Sequence, residues 1–192
     1  MSSWMRRGAH DRRWLAPAAV LVVVLVTTLG GFVAAAALAE PTGPPVSIPG
    51  VVSVRPLTGW EPAAPGSVGD RRFVRVTRGG GTLAAVAWGP SADAEALAVE
   101  VRDELLGESL DQLSVSEVLV PVMLDQGLEG QRFTFVGIDA ETGAAVEGEV
   151  TTVISPDGQG VVFVGLAPEG LLAFVDGDIH TMVSRAIVGR AA

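Results

Sequence analysis

Between Trp14 and Ala39 the chain runs for 26 residues without a charged side chain, and Arg6, Arg7, Arg12 and Arg13 stand just before that run. As an α-helix, at about 1.5 Å of rise per residue, it is longer than the roughly 30 Å hydrocarbon core of a bilayer. Such a run reads as a single transmembrane helix over residues 14–39, with residues 1–13 as a basic cytoplasmic tail. Positive flanks stay on the cytoplasmic side, which puts everything after residue 39 outside the cell. Ala37-Leu38-Ala39 also fits a signal-peptidase site, so cleavage after Ala39 is the competing reading. The apolar stretch exceeds the usual 7–15 residues of a signal peptide's apolar region, which favours the uncleaved anchor. Both readings export the remainder.

Composition agrees with export and narrows the chemistry. The chain has no cysteine, hence no disulfide, no thiolate metal site and no thiol to carry a lipid. All 13 basic residues are Arg, a bias expected of a GC-rich, actinobacterial type of genome. The tail carries four Arg and one Asp, and taking that +3 out of the total of −9 leaves residues 40–192 near −12. So acidic a surface repels phosphate backbones, and nucleic acid is excluded as a partner.

Residues 40–50 hold four prolines, in Glu40-Pro41-Thr42-Gly43-Pro44-Pro45-Val46-Ser47-Ile48-Pro49-Gly50, and read as an extended, semi-rigid linker. Residues 51–190 suit one extracytoplasmic domain of ordinary size. Val51–Val54 opens it as a short strand, followed by a Gly/Pro-rich loop with Gly59-Trp60. Arg72–Thr77 and Leu83–Trp88 form a hairpin across Arg78-Gly79-Gly80-Gly81. Ser91 is the expected N-cap of a helix whose apolar positions are Ala94, Leu97, Ala98, Val101 and Leu105. Strand-like stretches then run over Glu117–Leu124, Gln131–Ile138, Ala145–Ile154 and Gly160–Leu166. Pro121 marks the first of these as an edge or bulged strand. A second amphipathic helix carries Leu172, Val175, Ile179, Met182, Val183, Ala186 and Ile187, with Pro168 in its first turn. The predicted class is α+β: an antiparallel sheet of about six to seven strands with two amphipathic helices, in the order three strands, helix, four strands, helix.

Three features of that order carry a resemblance. They are Gly59-Trp60 after the first strand, the Ser91 helix after Trp88, and Val161-Val162-Phe163-Val164-Gly165-Leu166 leading into the last helix. The chain resembles, over roughly residues 48–188, the Mog1/PsbP-like fold and in particular the LpqN-type envelope proteins of mycobacteria and their relatives. That resemblance implies a binding or assembly factor and no enzyme. It transfers no functional residue. LpqN-type members are often lipoproteins, and this chain, lacking the lipid-accepting Cys, departs from them by offering a helix anchor instead.

The residues that tempt a chemical reading are few. Asp176, His180 and Ser184 fall at i, i+4 and i+8 on one helix face and resemble a hydrolytic series. A nucleophile inside a regular helix rarely has oxyanion donors, and no G-x-S-x-G elbow is present, so this face reads as solvated. Asp176, Asp178 and His180 make a weak metal set, because side chains two apart on a helix diverge by about 200° and zinc calls for more nitrogen or sulfur ligands. Gly79-Gly80-Gly81 reads as a turn, and Asp103, Glu104, Glu108 and Asp111 as a solvated charged face. Arg71, Arg72, Arg75 and Arg78 form the one local basic patch, while Trp60 and Trp88 read as core anchors. No catalytic, cofactor or metal residue is assigned. The leading expectation is a membrane-anchored interaction or scaffolding domain of the envelope with a protein partner. The alternative is a carrier of lipid or another small ligand in a hollow lined by Phe133, Phe135 and Phe163, and hydrolysis by Asp176/His180/Ser184 is a distant third.

Overall fold

The computed structural model describes residues 43–189. The basic tail, the apolar run and the start of the Pro-rich segment lie outside the described residues. Among those described, no helix is long and apolar enough to cross a membrane.

The domain is α+β. An eight-stranded antiparallel sheet runs in the order β3-β4-β5-β10-β9-β8-β6, with β7 pairing beside β6 on β8. These strands are β3 (Glu61–Val68), β4 (Arg71–Arg78), β5 (Gly81–Pro90), β6 (Leu110–Val115), β7 (Val120–Met123), β8 (Glu129–Asp139), β9 (Ala145–Ile154) and β10 (Gln159–Pro168). A second, three-stranded sheet has the order β1-β2-β11, from β1 (Val46–Ile48), β2 (Val52–Val54) and β11 (Ile187–Val188).

The large sheet is covered on both faces. On one lies helix α1, regular over Ala94–Glu100, widened to a π-helix over Val101–Leu106 and closed by the turn Gly107–Ser109. Residues five apart diverge on a regular α-helix, and the wider turn lets both Val101 and Leu106 be buried. They meet Val86, Trp88, Phe133, Phe135, Val150 and Val162 in one apolar cluster. The opposite face is covered by the small sheet, β1 lying against β4 and β2 against β5, and by helix α2 (Asp176–Ser184) against β10. Ile179, Met182 and Val183 supply the buried side of α2. Because β9 and β10 lie under both layers, neither shows the alternating burial of a strand with one wet face.

Several sequence expectations hold at the level of single residues. Strand β9 has the predicted ends, and the β4–β5 hairpin turns through Gly79 (φ 53°) and Gly80 (φ 88°), both positive as a two-residue primed turn requires. Trp60 and Trp88 are buried. Pro121 sits in β7, which among the described residues pairs only with β8. The Leu124 amide donates to the Leu128 carbonyl at 2.9 Å, so the alternation along β7 turns Pro121, which lacks an N–H, to the outer edge.

Other expectations are corrected. The strand count is eleven among the described residues, above the six to seven predicted. The segment after Gly59-Trp60 is strand β3, whose Pro62 and Pro65 are tolerated because β3 is the sheet's outermost strand. Val46–Ile48, within the proline-rich segment, pairs at an edge for the same reason. Leu110–Val115 is a strand without a clear period of two, because a bulge at Gln112 (φ 50°) breaks its alternation. The cap of α1 is Asp93 and not Ser91: the Asp93 Oδ1 accepts the Ala96 amide at 2.8 Å. Pro168 ends β10 and does not open a helix, and a 3₁₀ turn (Leu172–Phe174) delays α2 to Asp176. The helical stripe stops short of Ile187, which enters β11.

Two consequences are measurable. Gly148 in β9 lies under the Phe135 ring, where a Cβ would stand 2.5 Å from Phe135 Cζ and closer still to the Gly165 carbonyl oxygen. Gly148→Ala is expected to cost about 1–3 kcal/mol in a urea melt through overpacking, and an unchanged midpoint would contradict that contact. In the β8–β9 turn, Asp139 Oδ1 accepts the Thr142 hydroxyl and the Thr142 amide, each at 2.7 Å. Those bonds, the hydroxyl's first, hold the Asp139 carboxyl below its ordinary value of 3.8. A lowered carboxyl stabilises the fold above its unfolded value, and that contribution is lost as pH falls through 3.8 toward the lowered value. The stability difference between the wild-type chain and Asp139→Asn should therefore shrink across that acid window and stay flat above it, as read by melts at a series of pH values.

Candidate functional site

Glu149 is the anomaly of the sheet. It lies in the middle of β9 and is only 5% exposed. Strand alternation points it and Thr151 toward α2, away from the cluster that contains Val150. Arg132 of β8 is the register partner of Thr151 and shares that face. His180 projects from α2 onto the same spot.

The three side chains meet at one nitrogen. His180 Nε2 stands 2.6 Å from Glu149 Oε2 and 2.6 Å from Arg132 Nη1. A ring nitrogen either carries a proton and donates or carries a lone pair and accepts; it cannot do both. Glu149 decides between these. Its Oε1 is buried and has no partner, so Oε2 is the only oxygen through which this carboxylate is satisfied. Leaving both oxygens unpaired is the costlier outcome, and Nε2–H therefore donates to Oε2. Arg132 then abuts a donor with no lone pair to offer. No ion pair of Arg132 is present among the described residues.

Beside this cluster is an open cleft of about 280 Å³ between β7 and α2. Arg132, Thr151, His180 and Ser184 supply its polar lining, and Val122, Met123, Leu124 and Val183 its apolar walls. The Asp125 amide donates to the Ser184 carbonyl at 2.8 Å and ties the end of β7 to the end of α2.

The residues singled out from sequence are dispersed. Asp176 Oδ1 accepts the Gly177 amide at 2.6 Å. Ser184 Oγ donates to the Thr181 carbonyl of its own helix at 3.2 Å. Asp178 accepts from Trp60 Nε1 at 2.9 Å and from Arg78 Nη1, fastening α2 to the loop before β3 and to β4. His180 thus pairs with neither Asp176 nor Ser184, and it does not sit on a purely solvated face as expected. Among the described residues no group of three His, Cys, Asp or Glu side chains is placed to hold a metal ion. The three phenylalanines also part company. Phe133 and Phe135 face α1, while Phe163, the register partner of Thr151, faces the other way, so they line no common hollow.

The basic patch divides too. Arg71 lies over the Trp88 ring at 3.6 Å from its centroid and pairs with Glu104 at 2.5 Å, while Trp88 Nε1 donates to Glu100 at 3.1 Å. This cluster fastens α1 to β4 and β5. Arg132 and Glu149 are absent from the residues singled out by sequence, although a carboxylate in mid-strand such as Glu149 needs a cationic or donor partner once it is buried.

No family model matches the chain, and no curated protein matches it. Among solved structures the chain is similar to the Ran-binding protein Mog1p of Saccharomyces cerevisiae, with 12% identity and a TM-score of 0.49, covering 78% of this chain and 96% of that one. It is also similar to LpqN of Mycobacterium tuberculosis, a protein involved in cell envelope biogenesis, with 14% identity and a TM-score of 0.45, covering 77% and 90%. Both have the Mog1/PsbP-like fold that the sequence resembles.

The pairing of Glu149 with His180 has an energetic test. His180→Ala strands a buried carboxylate and is expected to cost about 1–3 kcal/mol. In a Glu149→Leu background the same substitution should cost far less, since no buried charge remains. Equal losses in the two backgrounds, measured by denaturant melts, would show that the side chains are not coupled.

Proposed function

We propose that this chain is a membrane-anchored envelope protein whose extracytoplasmic domain is a non-catalytic binding module for a protein partner. The uncharged run of residues 14–39 behind four Arg supports the anchor and its orientation. The observation that carries the binding role is the edge of the large sheet at β7. There Val118, Val120 and Met123 are 69%, 42% and 57% exposed along one short segment. Apolar side chains beside a free strand edge are the usual means by which a sheet receives another chain. Pro121 limits that edge, because its missing N–H prevents an uninterrupted ladder and favours a discrete partner over self-association.

The hydrolytic alternative loses its support from the geometry of α2, where Ser184 is bonded within its own helix and Asp176 to its neighbour. A Ser-His-acid mechanism needs those groups in one hydrogen-bonded chain.

A photo-crosslinking residue placed at position 118 in intact cells should yield one discrete protein adduct. Val120→Asp, which leaves the core untouched, should abolish it. Protease added to intact cells should also remove the C-terminal domain. Absence of an adduct, or a domain protected until lysis, would defeat the proposal.

A further inference from the structure

We infer that the cleft between β7 and α2 is a receptor for an anionic head group, a carboxylate or phosphate monoester, borne on a short apolar chain. The inference deepens the reading of the domain as a binding module, but it uses Arg132 and not the outer edge of β7.

The physical basis is a guanidinium that meets no acceptor among the described residues. Glu149 Oε2 takes the only proton that His180 Nε2 can offer, so the 2.6 Å contact between Nε2 and Arg132 Nη1 joins two donors. That contact is the unsatisfied one in the cluster, and an oxygen anion is the species that relieves it. A guanidinium carries five donors in a planar fork that matches the two oxygens of a carboxylate or phosphate. Arg132 lines the open cleft, whereas Glu149 lies behind it, nine-tenths buried, so the cation meets an entering ligand first. Thr151 supplies a hydroxyl on the same lining, while the Ser184 proton is already given to the Thr181 carbonyl.

The remaining walls decide what else the ligand carries. Val122, Leu124 and Val183 are apolar, so a bare inorganic anion would leave them wet. At about 280 Å³ the cleft is just smaller than the roughly 300–1,000 Å³ typical of small-ligand pockets. It fits a head group and the first few carbons of a chain. Such a head group occurs on a free short-chain acid and on a membrane lipid, and the recognition chemistry is the same for both.

The test is calorimetric titration of the full chain in nanodiscs of neutral phosphatidylcholine, with hexanoate, hexyl phosphate and hexan-1-ol as probes. Both anions should bind and the alcohol should not. Arg132→Leu should weaken anion binding about tenfold or more, as expected for a lost charge-assisted pair, and Arg132→Lys should recover part of it. A thermal melt of each variant confirms that the domain is folded. Repeating the titration in discs containing phosphatidic acid separates the sources. Weakened hexanoate binding there identifies a lipid head group as the occupant, and unchanged binding identifies a free acid. Hexan-1-ol binding as tightly as hexanoate, unaltered binding by folded Arg132→Leu, or no binding of either anion would overturn the inference. Loss of the position-118 adduct alone would defeat the protein-partner reading and leave the anion site standing.

Discussion

Burial of β9 and β10 from both sides governs how this domain is put together. With α1 on one face and the small sheet plus α2 on the other, any side chain on these strands must pack or find a partner. Gly148 and Gly165 are the packing response: they give up a Cβ so that Phe135 and Ile179 can close over the sheet. Glu149 is the polar response. A carboxylate only 5% exposed in mid-sheet is tolerated because α2 brings a ring nitrogen to it.

That need ties α2 to the sheet in a specific register. Ile179, Met182 and Val183 supply apolar contact, but contact of that kind is nondirectional and would accept neighbouring registers. His180 on Glu149, with Asp178 on Trp60 and Arg78, selects one. Arg132 is held at the same place by the pairing of its strand residue with Thr151, where the imidazole proton is already committed to Glu149. Structural satisfaction of one buried charge thus leaves a second charge facing an open cleft, which is the arrangement a binding site needs.

Legibility from sequence tracks the range of the interactions. Hairpins and helices are local. Gly79-Gly80, the alternation of Val74 and Val76, and the 3.6-residue spacing of Leu97, Ala98 and Val101 each speak within a few residues, and the corresponding elements are present in the fold. Edge strands β1 and β3 are illegible because their prolines, forbidden in a central strand, look like loop residues until the strand's place at the rim is known. The candidate site is legible at its surface only. Sequence proximity gives His180 the wrong companions, since Asp176 and Ser184 are near along the chain while Glu149 is 31 residues away and Arg132 is 48.

Legible before any folding are the α+β class, the apolar run with its arginine flank, the acidic balance of residues 40–192 and the positions of most strands. These depend on composition and on periodicities of two and 3.6, which any stretch of chain displays before it folds. Which charges meet is settled by assembly: Arg132, Glu149 and His180 come from two strands and a helix whose juxtaposition depends on strand order and layer packing. Neither is written in any single segment, because contacts of long sequence separation arise from the way whole elements bury their apolar faces together.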